Sequence, residues 1–299
     1  MNIRLFACAL LSACVFVSCH SDKAVEDIET VSYTFQVINP ITGSLDDFDT
    51  RAGVASTPSC LCVYDVVEGK EPKNVEQRGI EENSGSGKNI LAPIKLELTP
   101  GAHRICFLCS SSPWTSIETS TLNATWDKPL SDVWSTVIEV EVQSGASNVS
   151  QTVKLDRVVA YVGVKIKDAL SKIVTTMHQE LEGGTLTFDM LKQVGGMTNK
   201  IILDTKVPNG DLGNPNREYG LYTFVPEGAE SALSYTITAQ QGYEVIQSYT
   251  INHVPLTPNQ YTIYEGEFFT PNNHNQVSIE LERDWNTVKY DFEGNRLND

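Results

Sequence analysis

Basic charge, histidine and long apolar runs are all scarce in this sequence, and each scarcity removes a class of function. Lys and Arg number 22 against 38 Asp and Glu, a formal charge of −16. No basic stripe interrupts that balance, so phosphate backbones and anionic headgroups are poor partners and no nucleic-acid binding is expected. The five histidines, His20, His103, His178, His253 and His274, are scattered, without an HExxH or a GxSxG, so neither zinc hydrolysis nor a serine nucleophile has a local signature. The stretch "SGSGK" at 84–88 is not a phosphate loop: the position five before Gly87 is Glu82, and Lys88 is followed by Asn89, so the backbone cradle and the magnesium-binding hydroxyl are missing. Carboxylates from distant strands could converge into a glycosidase pair, but nothing local marks one. The chain is read as non-enzymatic, with no cofactor and no metal.

The one long apolar run lies at the start. A charged Met1–Arg4 opening, an apolar Leu5–Val17 and an abrupt change to His20-Ser21-Asp22-Lys23 describe a secretory signal, too short to span a bilayer. Two cysteines at its end follow small residues, as the lipid-acceptor cysteine of a bacterial lipoprotein does. Cys19, in Phe16-Val17-Ser18-Cys19, sits where hydrophobicity ends and is preferred. Cys14, in Leu11-Ser12-Ala13-Cys14, fits the box better but would leave an apolar start to the mature chain. An ordinary cleaved signal is the plainer alternative. Residues 1–18 are therefore expected to be a leader, and acyl chains on the cysteine would anchor an exported, surface-exposed protein to the outer membrane.

Helical stripes are also missing from the mature chain; period-two alternation takes their place. Val31, Tyr33, Phe35 and Val37 alternate with polar residues, as do Ile138, Val140 and Val142. Val158–Ile166, Leu221–Val225, Tyr235–Ala239 and Val277–Leu281 follow the same period. Gly-, Pro- and Asn-rich turns separate them, among them Thr99-Pro100-Gly101 and Asn209-Gly210. Short helical pieces are expected only at Asp189–Val194 and Ala169–Met177. Many short strands so punctuated indicate antiparallel β-sandwiches. The small polar "QSGASNVSQ" at 143–151 places a boundary between an N-terminal domain, 19–147, and a C-terminal one, 148–299.

Four cysteines follow the leader: Cys60 and Cys62 in "SCLCVYD", Cys106 and Cys109 in "RICFLCSS". On strands the first pair shares a face while the second points to opposite faces, so four ligands cannot converge without a bend. Buried thiols, one cross-strand disulfide and, least of all, a metal site remain open. Trp114, Trp126 and Trp134 fall in one polar stretch, where indoles could stack on a sugar ring or a peptide, or else pack against their own sandwich.

Several stretches taken in order resemble the fimbrillin superfamily, the lipoprotein-derived, protease-activated (type V) pilus proteins. They are "TRAGVASTPSCLCVYDVVEGK", "LELTPGAHRICFLCSSS", "VKLDRVVAYVGVKIKDAL" and "VSIELERDWN". The third is the closest match, to a Leu-x-Arg-x-x-Ala-x-Val strand that opens a second domain. The resemblance implies two tandem transthyretin-like sandwiches and a structural role in a fimbria, and the chain length is most like the minor fimbrium anchor group. It also implies fimbrial subunits as partners by β-strand addition, with cleavage after Arg51 releasing the strand Val31, Tyr33, Phe35, Val37 in members that polymerise. An anchor would keep its leader. Cysteines on two core strands depart from the family pattern. A glycan-binding surface lipoprotein is the alternative.

Overall fold

The computed structural model describes residues 29–38, 57–79, 90–228, 233–270 and 286–290. Cys14, Cys19, Arg51 and the strand expected at Val277–Leu281 lie outside them. Every regular element among the described residues is a strand.

The first sandwich uses β1 (Val31–Ile38), β2 (Cys60–Val66), β3 (Lys73–Arg78), β4 (Ile94–Leu98) and β5 (Gly101–Ser110), then the short β6 (Ser116–Glu118) and β7 (Asn123–Thr125). It ends with β8 (Val133–Val142), β9 (Val149–Lys154) and β10 (Asp156–Arg157). One of its sheets has the order β4-β1-β9, the other β10-β8-β5-β2-β3. Thus β9, which begins within the small polar stretch, and β10, which follows it, still pair with β1 and β8. Between the two sheets lies a core that includes Phe35, Ile94, Ile105, Phe107 and Trp134.

The second sandwich opens with β11 (Val159–Ile166) and β12 (Thr176–Gly184), followed by the short β13 (Thr187–Asp189) and β14 (Val194–Gly195). It continues through β15 (Asn199–Lys206), β16 (Arg217–Phe224), β17 (Ser234–Gln241), β18 (Glu244–Asn252), β19 (Gln260–Gly266) and β20 (Asn286–Tyr290). Its sheets run β16-β11-β19-β20 and β15-β12-β17-β18 around a core containing Val164, Met177, Tyr235, Ile237 and Phe268.

Matched by pairing, the two sandwiches are one topology used twice. The sheet order β4-β1-β9 corresponds to β16-β11-β19, and β8-β5-β2-β3 corresponds to β18-β17-β12-β15. In both, the opening strand pairs antiparallel on one side and parallel on the other: β1 with β4 and β9, β11 with β16 and β19. Most pairings are antiparallel. The parallel ones join β1 to β9, β11 to β19 and β19 to β20, all in the sheets that hold the opening strands.

Two local expectations are corrected. Ala169–Met177 is not a helix but a turn leading into β12, with the Val174 amide donating to the Ser171 carbonyl and the Leu170 amide to the Asn214 carbonyl. Asp189–Val194 is a tight connection between β13 and β14. Asp189 Oδ1 accepts from the amides of Leu191 (3.0 Å) and Lys192 (2.9 Å), and Gln193 has a φ of 59°. The Gln193 amide closes a single turn onto the Asp189 carbonyl, and the left-handed backbone at Gln193 ends it before a second turn can form.

A small third sheet of order β14-β13-β7-β6 joins the sandwiches. Strand β7 comes from the β5–β8 connection and β13 from the β12–β15 connection, and they pair antiparallel through Ala124 and Phe188. Around them lies a junction core drawn from both halves, including Leu108, Trp126, Val159, Phe188, Met190 and Phe224.

Candidate functional site: an apolar strand between two neighbours

The alternation in "VSYTFQVI" makes β1 two-sided. Val31, Tyr33, Phe35 and Val37 are buried, while Gln36 and Ile38 are exposed and Ser32 and Thr34 are half-buried. Phe35 is fully enclosed, stacked on Tyr33 at 5.9 Å between ring centroids and edge-on to Phe107 at 5.7 Å. Burying side chains of this size is worth roughly 1.5–3 kcal/mol each. β1 is also the middle strand of its sheet. It pairs with β4 from Val31↔Leu98 to Phe35↔Ile94 and with β9 from Tyr33↔Val149 to Ile38↔Lys154. Its entry is tied by Glu29, whose Oε1 accepts from the Gly145 amide at 2.5 Å. Taking β1 away would therefore leave a slot bounded by two hydrogen-bonding edges and floored by apolar side chains. The chain leaves β1 through residues 39–59, the connection that carries Arg51.

Trp114 and Trp126 are enclosed where the halves meet, and Trp134 in the core of the first sandwich. Trp114, Trp126 and Trp134 are 8%, 2% and 1% exposed. Trp126 packs on Phe224 (5.2 Å) and edge-on to Trp114 (6.4 Å), and its Nε1 donates to the Ser112 carbonyl. Trp134 lies under the Arg157 guanidinium at 5.8 Å. The stacking reading is corrected here, because rings packed on both faces offer none to a sugar or peptide.

Cys60, Cys62, Cys106 and Cys109 are buried free thiols. Register explains why: Cys60 lies opposite Ser110, Leu61 opposite Cys109, Cys62 opposite Leu108 and Tyr64 opposite Cys106, so no two cysteines face each other. A bridge needs close, facing Cβ atoms. Cys60, Cys62 and Cys106 point into the junction core, Cys109 into the core beneath β1. Burial pushes Cys60 up to about 11 and Cys106 up to about 12, and it raises Cys62 and Cys109 as well, so all four are poor nucleophiles. No metal-binding group of side chains occurs among the described residues.

Arg157 is the residue that sequence reasoning undervalued. It is nearly buried, its Nε pairs with Asp132 Oδ1 at 2.9 Å, and its Nη1 donates to Asn259 Oδ1 at 3.0 Å, so one guanidinium ties the two sandwiches together. The signal was a charged residue set inside the apolar run "LDRVVAYV". Such a residue is kept inside only when paired.

No protein-family model matches the chain, and no curated protein matches it in sequence. Solved structures do. A candidate adhesin from Bacteroides ovatus superposes with a TM-score of 0.55 at 12% identity, over 92% of this chain and 100% of the other. A candidate cell adhesion protein from Bacteroides eggerthii gives 0.49 at 14% identity, over 80% and 87%. The fimbrial anchor protein Mfa2 from Porphyromonas gingivalis gives 0.41 at 11% identity, over 73% and 80%. At such identities the likeness is one of fold alone: this chain is folded like the candidate adhesin from Bacteroides ovatus.

Proposed function

We propose that the protein is a structural component of a cell-surface fimbria, held at the outer membrane by a lipid on Cys19, or alternatively Cys14, and joined to other subunits by β-strand addition at the β1 position. The observation that carries the reading is β1 itself. It is an apolar strand paired on both sides, it opens the first sandwich, and its exit runs through the connection containing Arg51. The adhesin-like fold supports this role, and so does the leader read from the sequence. The anchor is the preferred position in the fibre, since a lipid is useful only where the segment between the lipidated cysteine and Arg51 stays attached. The second position is a stalk or tip subunit opened by cleavage after Arg51. A glycan-binding role loses its main support with the three enclosed indoles.

The test is the mature N-terminus and intact mass of the protein taken from the outer membrane of its native cell. A lipidated start at Cys19 or Cys14 with Arg51 uncut establishes an anchor closed by its own strand. A start at Ala52 without lipid establishes a polymerising subunit. Fibres that stay attached and unaltered in cells lacking the protein would overturn the fimbrial reading itself.

A further inference from the structure

The sheet on which β1 rests is buried on both faces. Along β5, Ile105, Phe107 and Cys109 face β1, whereas Cys106 and Leu108 face the junction core. In a free-standing sandwich the second face would meet water; here the second sandwich covers it with Phe188, Phe224 and Met190. Two further ties cross the same boundary: the pairing of β7 with β13, and the Arg157 bridge from Asp132 to Asn259. Loss of β1 therefore uncovers one face of this sheet and leaves the other packed.

We propose that the second sandwich serves as an intramolecular base, holding the first sandwich folded while the β1 position is vacant, so that the open slot is a lasting receptor rather than a step towards unfolding. Its occupant is an extended segment of another subunit, running parallel to β9 and antiparallel to β4, with apolar side chains at alternate positions and aromatic ones at the sites of Tyr33 and Phe35. The biological use of this base rests on β1 being the exchangeable strand. Its physical content does not, because the slot can be opened in the purified full chain.

The native cysteines report the two faces separately. In the full chain carrying Phe35→Asp, an aspartate cannot remain in a dry aromatic site, so β1 is expelled. Maleimide labelling followed by peptide mapping is then expected to take Cys109 from protected to labelled, while Cys60, Cys62 and Cys106 stay protected. Adding Phe224→Leu to thin the junction core is expected to expose all four thiols. Labelling of all four in Phe35→Asp alone overturns the proposal, since the first sandwich then unfolds without β1. Labelling of none also overturns it, since no open slot then persists. A double variant that labels like the single one overturns the second sandwich as the base. None of these outcomes depends on the N-terminus of the native protein, so failure here and failure of the fimbrial reading are separate results.

Discussion

Strands β1 and β11 hold the same place in two copies of one topology, yet the chain around them is tied down differently. β11 enters directly from β10, where Arg157 is fixed by Asp132 and Asn259. It exits through residues 167–175, which are pinned to the rest of the second sandwich. Asp168 accepts from the amides of Phe268 (2.8 Å), Phe269 (2.7 Å) and Thr270 (2.8 Å), and Leu170 exchanges backbone bonds with Asn214 and Gly213. Among the described residues β1 has such a tie at its entry, at Glu29, and residues 39–59 separate it from β2. The inner faces differ too: β1 presents Tyr33 and Phe35, β11 presents Val162, Val164 and Ile166. Attachment is therefore where the two strands differ, while the pairing is shared.

The sharpest way to break this comparison is to damage both strands and try to rescue each one. Phe35→Ala should cost about 3–5 kcal/mol and Ile166→Ala about 2–5 kcal/mol, both read from denaturant midpoints. A synthetic peptide with the sequence 31–38 should raise the melting temperature of the Phe35→Ala protein, because a released β1 leaves a slot that the peptide can fill. A β11 peptide should do nothing for Ile166→Ala. Rescue of both, or of neither, would show that attachment does not set exchangeability.

Next in size is the tie between the halves. Removing Arg157 as Arg157→Ala takes the guanidinium away from the buried carboxylate of Asp132 and should cost about 3–5 kcal/mol. The same change at Lys154, whose pair with Asp156 is exposed, should cost no more than about 1 kcal/mol. Equal effects would mean that Arg157 adds nothing to the junction.

Strands were legible where alternation is strict: the runs at 31–37, 138–142 and 235–239 fall inside observed strands, and those at 158–166 and 221–225 overrun β11 and β16 by one residue each. Three strands at sheet edges were not. β3, β15 and β18 alternate weakly because one hydrogen-bonding edge, and much of each face, meets water. The junction sheet was invisible for a different reason. Its strands are two or three residues long and gain partners only when two distant connections meet, so no local pattern encodes them. Clustering of the tryptophans could be read, but not their direction: Trp114 and Trp126 are enclosed with Phe188 and Phe224 of the other half of the chain, while Trp134 turns into the first core. The repeat escaped notice because it is a repeat of pairings, not of residues.

The cysteines test a smaller consequence of register. In the native protein a thiol reagent should label none of the four described cysteines, and in denaturant it should label all four without prior reduction. A thiol count lower than that in the denatured, unreduced protein would show a bridge, and with it a shift of the β2–β5 register.

The smallest effect lies where the two copies differ most gently, on the outward faces of β2 and β12. In the first sandwich that face carries Cys60, Cys62 and Tyr64 against the junction; in the second it meets solvent and carries His178, Glu180 and Glu182. His178 sits between Asp204 (2.6 Å from Nδ1) and Glu180 (3.2 Å from Nε2), and Lys200 reaches Glu180 (2.8 Å) and Glu182 (3.2 Å). Burial disfavours the charged imidazole, but hydrogen bonds to Asp204 and Glu180 outweigh it and hold His178 above its ordinary value. A raised folded-state value means that this stabilisation is complete below the unfolded pKa of about 6.5 and fades as the pH climbs through the folded one. Glu180 behaves oppositely. Its hydrogen bond to Lys200, then that to His178, holds it below the carboxylate range against the opposing effect of burial, so its share is present above the unfolded value and is lost in acid. Because Asp204 is largely exposed, solvent screening limits the histidine contribution to a few tenths of a kcal/mol. Stability measured from pH 6 upward should therefore show a shallow decline that His178→Ala abolishes, with no matching change on substituting Cys62→Ala in the equivalent, enclosed face. A decline that persists in His178→Ala would place the titrating group elsewhere.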